Sequence, residues 1–315
     1  MLRKRGAVEV ARTTPWAGEV PVWRRLRLPN RYAHWGMIFI LPALIFFLAF
    51  RLIPLGSAAW VSLHEWNLIA PMKWVGVANY ARAVQDRDFL IAMGRSFLYA
   101  GVVVSGTVVL GLLAAVLLDQ RLRFTAFYRA VYFSPALMSW VVISIVWLVM
   151  YAPTIGPFAN LAALLSVPYT PPLTSAIGAL PAIMIMGIWQ ALGFYMVVFL
   201  AGLQAIPAFL YEAASIDGAG SIRSFWTITL PLLRPVTLFA IVNATIEALQ
   251  VFVQVYIMTN GGPAERTVVV VFFIYRLGFY LREMGYAAAL GITLLAVVLV
   301  ITLVYLRLIR TEQYY

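Results

Sequence analysis

Four polar side chains recur at helical spacing within an otherwise apolar stretch: Asn243, Glu247, Gln250 and Gln254. Steps of four, three and four residues predict that they share one face of a helix. Amides and carboxylates hydrogen-bond hydroxyl-rich solutes such as sugars, and they are costly in hydrocarbon unless they face a water-filled path. The stripe therefore predicts the lining of a polar pathway. Hydrogen bonding between neighbouring helices is the alternative interpretation.

The preceding apolar segment and the segment that carries these four residues supply further candidates for the same pathway. Gln190 is predicted to face the same cavity, and the rings of Trp189, Tyr195 and Phe252 are suited to stacking on a sugar ring. Glu247 is the strongest candidate for lining the pathway, because placing a carboxylate near the middle of a membrane costs free energy unless it is hydrated or paired.

The composition predicts that these segments lie in a membrane. Of the 315 residues, 63% are hydrophobic and only 11% are charged, whereas an average soluble domain carries roughly 25% charge. The chain has no cysteine and only two histidines, so it offers neither a disulfide framework nor a set of zinc ligands. We therefore expect no catalytic residue and no metal site.

Apolar runs predict an all-α membrane protein with about six transmembrane helices. The predicted spans are Trp35–Leu55, Ser96–Leu118, Ala130–Tyr151, Leu180–Leu203, Pro235–Thr259 and Met284–Leu306. The run Thr267–Tyr275 is too short to cross as a helix, so we expect it at the membrane surface or packed on the bundle. The first apolar stretch is too long for the core of a cleaved signal peptide and is interpreted as an uncleaved helix.

Basic residues predict the orientation of the transmembrane domain, 35–310. Eight Lys and Arg residues lie in the N-terminal segment, 1–34. Placing this tail in the cytoplasm puts most of the 23 Lys and Arg on that side, together with the loop 204–235 and the C-terminal tail, 311–315. The net charge of +11 then suits lipid headgroups, and no nucleic-acid partner is expected.

The loop 204–235 is predicted to contain two short helices. Pro207 suits the start of the first helix, and Asp217-Gly218 ends it because glycine permits the positive φ of a sharp exit. The second helix is predicted to carry an apolar face made by Ile222, Phe225 and Trp226 and to end at Pro231 and Pro235. Two short helices joined at Gly218 would form a rigid knob.

The same loop contains the pattern EAA, three residues, Gly, nine residues, then I-x-L-P. This pattern resembles the cytoplasmic coupling loop of the membrane subunits of ATP-binding-cassette importers. The matching positions are Glu212, Ala213, Ala214, Gly218, Ile228, Leu230 and Pro231. Asp217, directly before the glycine, is grouped with them as a candidate ATPase-coupling residue. The resemblance implies that the first short helix inserts into a cleft of an ATPase, where Glu212 meets a basic residue. Without the surrounding pattern, Glu212 would be interpreted as a solvated surface acid.

Segments across roughly 35–310 resemble sugar-importer permeases of the maltose and glycerol-3-phosphate type, and more closely the MalF/UgpA-like subunit. The segments are LPALIFFLAFRLIPL, WVGVANYARAV, NGGPAERT and MGYAAALGITLLAVVLV. The resemblance implies a type I ABC importer permease (MetI-like) fold in the prokaryotic cytoplasmic (inner) membrane. It also implies alternating access that moves a carbohydrate, a di- or oligosaccharide, inward. Implied partners are a second, MalG-like permease, two MalK-like ATPase subunits that bind ATP and Mg²⁺, and an extracytoplasmic solute-binding protein.

The sequence also bears on other classes of function. The sequence contains no G-x-x-x-x-G-K-[ST] nucleotide motif, so an importer permease would take its energy from another chain and need no cofactor of its own. An intramembrane enzyme is not supported, because the predicted spans contain no H-E-x-x-H motif, no cysteine nucleophile and no acid–base pair. A stand-alone secondary transporter or channel for a small polar solute is the remaining alternative. Such proteins commonly have repeats and broken helices, and neither is evident in the sequence.

Overall fold

The computed structural model describes residues 30–120 and 123–310. The predicted basic tail, 1–34, lies almost wholly outside these residues, and the tail 311–315 lies entirely outside them. Helix α1 (Asn30–Phe47) continues through a π-helical turn, Leu48–Leu52, into α2 (Ile53–Val61). Together they include one apolar helix, Trp35–Val61, that is long enough to cross a membrane.

The described chain divides into two units, with the boundary between Ser57 and Ala58. After the end of α2, the second unit continues with a short antiparallel pair in which His64 lies opposite Trp74. Its elements up to the fourth predicted span are β1 (His64–Glu65), β2 (Lys73–Trp74), α3 (Ala78–Gln85), α4 (Arg87–Asp119), α5 (Thr125–Phe133), a 3₁₀ turn (Ser134–Leu137), α6 (Trp140–Met150), α7 (Pro157–Leu164), a second 3₁₀ turn (Pro172–Thr174) and α8 (Ala179–Gln204).

The remaining elements include the 204–235 loop and the last two predicted spans. They are α9 (Ala208–Ile216), α10 (Ser221–Ser224), a π-helical turn (Phe225–Thr229), α11 (Leu230–Leu232), α12 (Arg234–Leu249), α13 (Val253–Met258), α14 (Val270–Tyr275), a further π-helical turn (Arg276–Tyr280) and α15 (Met284–Arg310).

The predicted fold class, an all-α protein with about six spans, is confirmed. Within the described residues, four helices are long and apolar enough to cross a bilayer, and two bent helix pairs bring the number to as many as six. Helix α4 has 33 residues, or about 50 Å of length, and starts at Arg87 rather than at the predicted Ser96. The Asp86 carboxylate causes this early start, because it caps the helix by accepting from the N–H groups of Asp88 and Phe89.

The third span is not one helix as predicted. The segments Thr125–Leu137 and Trp140–Met150 meet at an angle of 102°. Pro135 lies in the 3₁₀ turn at this bend, where its ring cannot donate a backbone hydrogen bond to a continuing α-helix. The Ser139 hydroxyl then caps the new helix by accepting from the N–H of Val142.

The fifth span is also broken, contrary to the continuous helix predicted for Pro235–Thr259. Helix α12 ends at Leu249, and α13 begins at Val253 after Phe252, whose φ and ψ are −145° and −60°. Neither proline nor glycine marks this break, so nothing local in the sequence indicates it. Broken spans, which the sequence did not reveal, are therefore a feature of this fold.

Small residues allow α4 and α8 to pack closely along most of their length. A Cβ atom on Gly187 of α8 would lie 2.6 Å from the Tyr99 hydroxyl of α4, and one on Gly111 of α4 would lie 3.2 Å from Cβ of Tyr195. Close approach over small residues is a common way for membrane helices to associate, because lipid supplies no hydrophobic drive between them. The α4–α8 pair thus forms the frame on which the other helices are placed.

The short apolar run after the fifth span packs on this frame, which confirms one of the two predicted placements. Val269 and Val270 are fully buried, and the N–H of Val270 donates to the Ser96 hydroxyl of α4 at 2.8 Å.

Candidate functional site

The 204–235 loop begins as predicted, with Pro207 directly before α9. Helix α9 ends at Ile216, and Gly218 follows with a φ of +75°. The N–H of Ala219 donates to the Ala214 carbonyl at 2.9 Å, and the N–H of Gly218 donates to the Ser215 carbonyl at 3.1 Å. This pair of bonds is the Schellman arrangement, which needs a residue that tolerates positive φ. The predicted role of Gly218 as the exit from the first helix is confirmed.

The second half of the loop is one helical segment, Ser221–Leu232, as predicted, although a π-helical turn separates α10 from α11 within it. It ends one residue after Pro231, whereas Pro235 lies in the first turn of α12. Of the predicted apolar face, Ile222 and Trp226 are 79% and 62% exposed. Phe225, the third residue of that face, is half-buried and lines a cavity inside the loop, so only Ile222 and Trp226 are left exposed.

Large apolar side chains are exposed on the same loop as Glu212, which itself lies on the exposed side of α9. Besides Ile222 and Trp226, they include Phe209 and Ile216. A concentration of exposed apolar side chains on a surface marks an interaction site in soluble regions of a protein. The predicted group Glu212, Ala213, Ala214, Asp217, Gly218, Ile228, Leu230 and Pro231 lies on this loop, with Ile228, Leu230 and Pro231 half-buried on its inner side.

The loop is closed internally by a bond that sequence reasoning missed. The hydroxyl groups of Tyr211 in α9 and Thr229 in the π-helical turn lie 2.9 Å apart. Both residues line a cavity of about 470 Å³ that also borders Asp119 and Gln120 at the end of α4. A tyrosine beside the EAA residues and a threonine within I-T-L-P are the only local indications of such a contact.

The loop passes into α12 through a bend of 64° between Ser221–Leu232 and Arg234–Leu249. Leu233 at this bend is fully buried. Gly202 near the end of α8 leaves room for it, since a Cβ atom there would lie 2.9 Å from the Leu233 side chain. The start of α12 is therefore seated against the end of α8.

A polar cluster joins α8 to α12 within the spans. The Asn243 amide donates to the Tyr195 hydroxyl and to the Glu247 carboxylate, each at 3.3 Å. A cavity of about 240 Å³ lies beside this cluster. Its lining combines three predicted residues with five others: Gln190, Tyr195, Glu247, Phe133, Ala136, Trp140, Ala191 and Phe194.

A smaller cavity of about 30 Å³ lies next to the first and shares Trp140, Tyr195 and Glu247 with it. Gln254 lines this inner cavity and is buried. The structure thus brings Gln190, Tyr195, Asn243, Glu247 and Gln254 into one region, as the sequence predicted for the group.

Gln250 does not join them. Its side chain is exposed and lines neither cavity, because α12 ends one residue before it. The prediction that four polar residues share one helical face is therefore wrong in its geometry. The break between α12 and α13 changes the direction of the chain, and Gln254 therefore lines the inner cavity from α13.

Of the three rings predicted to stack on a sugar, Tyr195 lines the cavity of about 240 Å³, whereas Trp189 and Phe252 do not. Trp189 contacts Trp147, with ring centres 5.5 Å apart, and Phe252 stacks on Tyr256 at 5.5 Å. Trp140, Phe133 and Phe194 provide the aromatic surface in their place. Phe133 and Trp140 flank the bend at Pro135, and this proline was the one sequence signal that pointed to them.

A family model described as the binding-protein-dependent transport system inner membrane component matches residues 107–311. The chain belongs to this family. The permease is 37% identical over 291 residues to the trehalose/maltose transport system permease protein MalF of Thermococcus litoralis, covering 91% of this chain and 97% of that protein. It is 33% identical to the diacetylchitobiose uptake system permease protein NgcF of Streptomyces coelicolor, covering 88% and 82%.

The fold of the permease is also found in a solved structure. It matches a chain of the bacterial alginate ABC transporter in complex with an alginate pentasaccharide-bound periplasmic protein, with a TM-score of 0.76 at 22% identity. The match covers 90% of the permease and 95% of that chain. The predicted ABC importer permease fold is thereby confirmed. Family membership decides against the stand-alone transporter, although the broken helices expected of that alternative are present.

Proposed function

We propose that this permease moves a carbohydrate, a di- or oligosaccharide, inward across the prokaryotic cytoplasmic membrane by alternating access. The observation that carries the proposal is the cavity of about 240 Å³, where Gln190, Tyr195 and Glu247 lie beside the ring of Trp140. Amide, phenol and carboxylate groups hydrogen-bond sugar hydroxyls, and an aromatic ring packs on the apolar face of a sugar. Two relatives named for trehalose/maltose and diacetylchitobiose transport support the same class of solute.

The energy for transport is proposed to come from two ATPase subunits that dock on the 204–235 loop and bind ATP and Mg²⁺. Helix α9 would enter a cleft on the ATPase, and Glu212 would meet a basic residue there. The exposed carboxylate, the exposed Phe209 and Ile216, and the rigid turn at Gly218 support this docking. A preformed surface loses little conformational freedom on binding.

A second, homologous permease and an extracytoplasmic solute-binding protein complete the proposed complex. The family description names dependence on a binding protein, and the alginate transporter was solved with a periplasmic protein bound. Both termini and the 204–235 loop lie in the cytoplasm in this arrangement, which places the docking surface within reach of the ATPases.

The loop leads directly into α12, and this continuity suggests how ATP drives the pathway. When the two ATPases close on ATP, they displace α9 and, through the bend at Leu233, the start of α12. Asn243 and Glu247 lie on that helix, so the cavity opens outward and receives the sugar from the binding protein. Hydrolysis separates the ATPases and returns the cavity to the inward-facing state.

The test is reconstitution of the permease with its partner permease, its ATPase and its binding protein in proteoliposomes. We expect the ATPase to remain with the permease in mild detergent, and a di- or oligosaccharide carried by the binding protein to stimulate ATP hydrolysis. Uptake that proceeds without ATP, or a permease that never retains an ATPase under gentle extraction, would contradict the proposal.

A further inference from the structure

The loop 259–267, between α13 and α14, has an unusual backbone. It holds four left-handed residues, with φ of 47° at Asn260, 87° at Gly261, 48° at Ala264 and 58° at Glu265. Three of these are not glycine, and each such residue costs on the order of 1 kcal/mol or more. A conformation of this kind persists only where the surrounding contacts over-determine it.

Internal hydrogen bonds close the base of this loop. The hydroxyl groups of Thr259 and Thr267 lie 2.7 Å apart, and the Thr267 hydroxyl donates to the Gly262 carbonyl at 2.8 Å. Thr267 is fully buried. The base is therefore a fixed part of the protein interior.

Two arginines from different helical segments hold the tip of the loop at Glu265. Arg95 of α4 donates to the Glu265 backbone carbonyl at 2.5 Å, and Arg276 donates to the Glu265 carboxylate at 2.6 Å. Charge-assisted bonds of this kind are stronger than neutral ones. Both the backbone and the side chain of a left-handed residue are thus fixed from outside the loop.

Arg266 follows Glu265 directly and meets no counter-charge within the part of the chain that the structure describes. Its side chain is exposed, and it has no hydrogen-bond or ion-pair partner among residues 30–120 and 123–310. Its charge lies close enough to Arg95 for the two to repel each other. Because the Glu265 carboxylate is bound to Arg276, a rigid support presents an unpaired cation to the surroundings.

The loop 259–267 and the 204–235 loop lie at opposite ends of α4. Arg95 is near the start of that helix and contacts Glu265, whereas Asp119 at its end borders the same cavity as Tyr211. In the proposed orientation, the 204–235 loop is cytoplasmic. The loop 259–267 then faces the outside.

We propose that Arg266, presented by the loop 259–267, is a docking contact for an acidic side chain of the extracytoplasmic solute-binding protein. The inference rests on the proposed function and names a contact for one of its partners. Arginine suits this task because its planar guanidinium can bind a carboxylate through two parallel hydrogen bonds. A preorganised loop fixes where the partner sits at little entropic cost.

The surroundings favour a protein over a free anion or a lipid surface. A free anion would need several cations to converge, but Arg95 and Arg276 are already bound to Glu265. A lipid surface is suited to apolar side chains, which on this end of the protein are exposed on the β1–β2 hairpin at Leu68, Ile69 and Met72. The charged loop 259–267 offers no such group at its exposed tip, Ala264–Arg266.

The test compares Arg266→Glu with Arg282→Glu in the complete, reconstituted transporter. Arg282 is also exposed, also left-handed with a φ of 57°, and lies just before α15 at the same end of the bundle. The two substitutions therefore change the net charge equally. ATP hydrolysis is titrated with the sugar-loaded binding protein at low and high ionic strength.

We expect Arg266→Glu to raise the half-saturating concentration of binding protein about tenfold or more at low salt, and Arg282→Glu to raise it by less than about twofold. The difference should shrink at high salt because exposed charges are screened. Arg266→Lys retains the charge but not the paired hydrogen bonds, so it should raise the half-saturating concentration by less than Arg266→Glu does. Basal ATP hydrolysis should be the same in all variants, which shows that the complex is assembled.

Unchanged half-saturation in Arg266→Glu would overturn the proposal, and so would equal shifts in the two glutamate variants. A difference between variants that follows the anionic lipid content of the proteoliposomes, and not the binding protein, would assign Arg266 to a lipid and also overturn it. A wild-type complex that no sugar-loaded binding protein stimulates would instead contradict the proposed function.

Discussion

The hydroxyl groups of Tyr211 and Thr229 lie 2.9 Å apart and tie α9 to the π-helical turn that leads into α12. Thr229 is buried, and Tyr211 directly precedes Glu212. The bond therefore fixes the proposed docking helix relative to the span that carries Asn243 and Glu247. Coupling between distant sites needs elements with discrete packed arrangements, and this pair supplies one.

Replacing Tyr211 with phenylalanine should weaken the link between ATP hydrolysis and uptake. The change removes one hydrogen bond, worth about 1 kcal/mol, and keeps the ring in place. We expect fewer sugars transported per ATP, with normal basal hydrolysis and normal retention of the ATPase. Tyr128→Phe is the matched control, because Tyr128 is exposed and no hydrogen bond of its hydroxyl is found within the described chain. A wild-type ratio of transport to hydrolysis in Tyr211→Phe would contradict the assigned role.

Reversing the charge of Glu212 should release the ATPase. In Glu212→Lys an exposed lysine would face the basic residue proposed on the ATPase, and like charges across an interface repel. We expect co-purification of the ATPase to fall about tenfold or more while thermal unfolding of the permease is unchanged. Glu65→Lys, at a 72% exposed position in the β1–β2 hairpin, serves as the control. Equal loss in both variants would point to net charge alone.

Truncating Glu247 should impair uptake more than assembly. The carboxylate lines both cavities and accepts a hydrogen bond from Asn243, so Glu247→Ala removes a group from the proposed sugar path. We expect sugar uptake to fall about tenfold, with the ATPase still bound. Gln250→Ala should remain within about twofold of wild type, because Gln250 lines neither cavity. Unchanged uptake by an assembled Glu247→Ala complex would remove this residue from the path.

Adding a methyl group at Gly193 should destabilise the fold beside the cavity of about 240 Å³. A Cβ atom there would overlap the Tyr132 carbonyl and lie 2.8 Å from Cα of Phe133, and both neighbours are backbone that cannot move aside cheaply. We expect Gly193→Ala to cost about 1–3 kcal/mol in thermal unfolding measured in detergent. At Gly94 of α4 nothing lies within 4 Å of the added atom, so Gly94→Ala should be neutral or stabilising. Equal stability of the two variants would show that α5 and α8 do not pack this closely.

Local chemical signals account for most of what could be predicted. Long apolar runs mark the segments that cross the bilayer, so the approximate number of spans and the fold class could be predicted from hydropathy. Pro207 and Gly218 each restrict or permit particular backbone angles, and the structure places the helix start and the exit where those restrictions predicted. The pattern EAA…G…I-x-L-P was readable because its elements are close in sequence.

The breaks within the spans were not predicted. Pro135 marks the bend of the third span, but the break after Leu249 has no proline or glycine, so its cause lies in packing and not in backbone preference. A helical wheel drawn through that break placed Gln250 beside Glu247. The actual chain turns there and brings Gln254 to the inner cavity instead.

The amino-acid sequence alone determined the class of protein, the approximate spans and the position of the loop that is proposed to meet an ATPase. These depend on transfer free energies and on the backbone preferences of single residues. Only the tertiary structure decided which polar side chains share a cavity, that Tyr211 meets Thr229, and that Arg95 binds the carbonyl of Glu265 from 170 residues away. Such contacts depend on how separate helices pack, and the local pattern of any one segment carries no record of that packing.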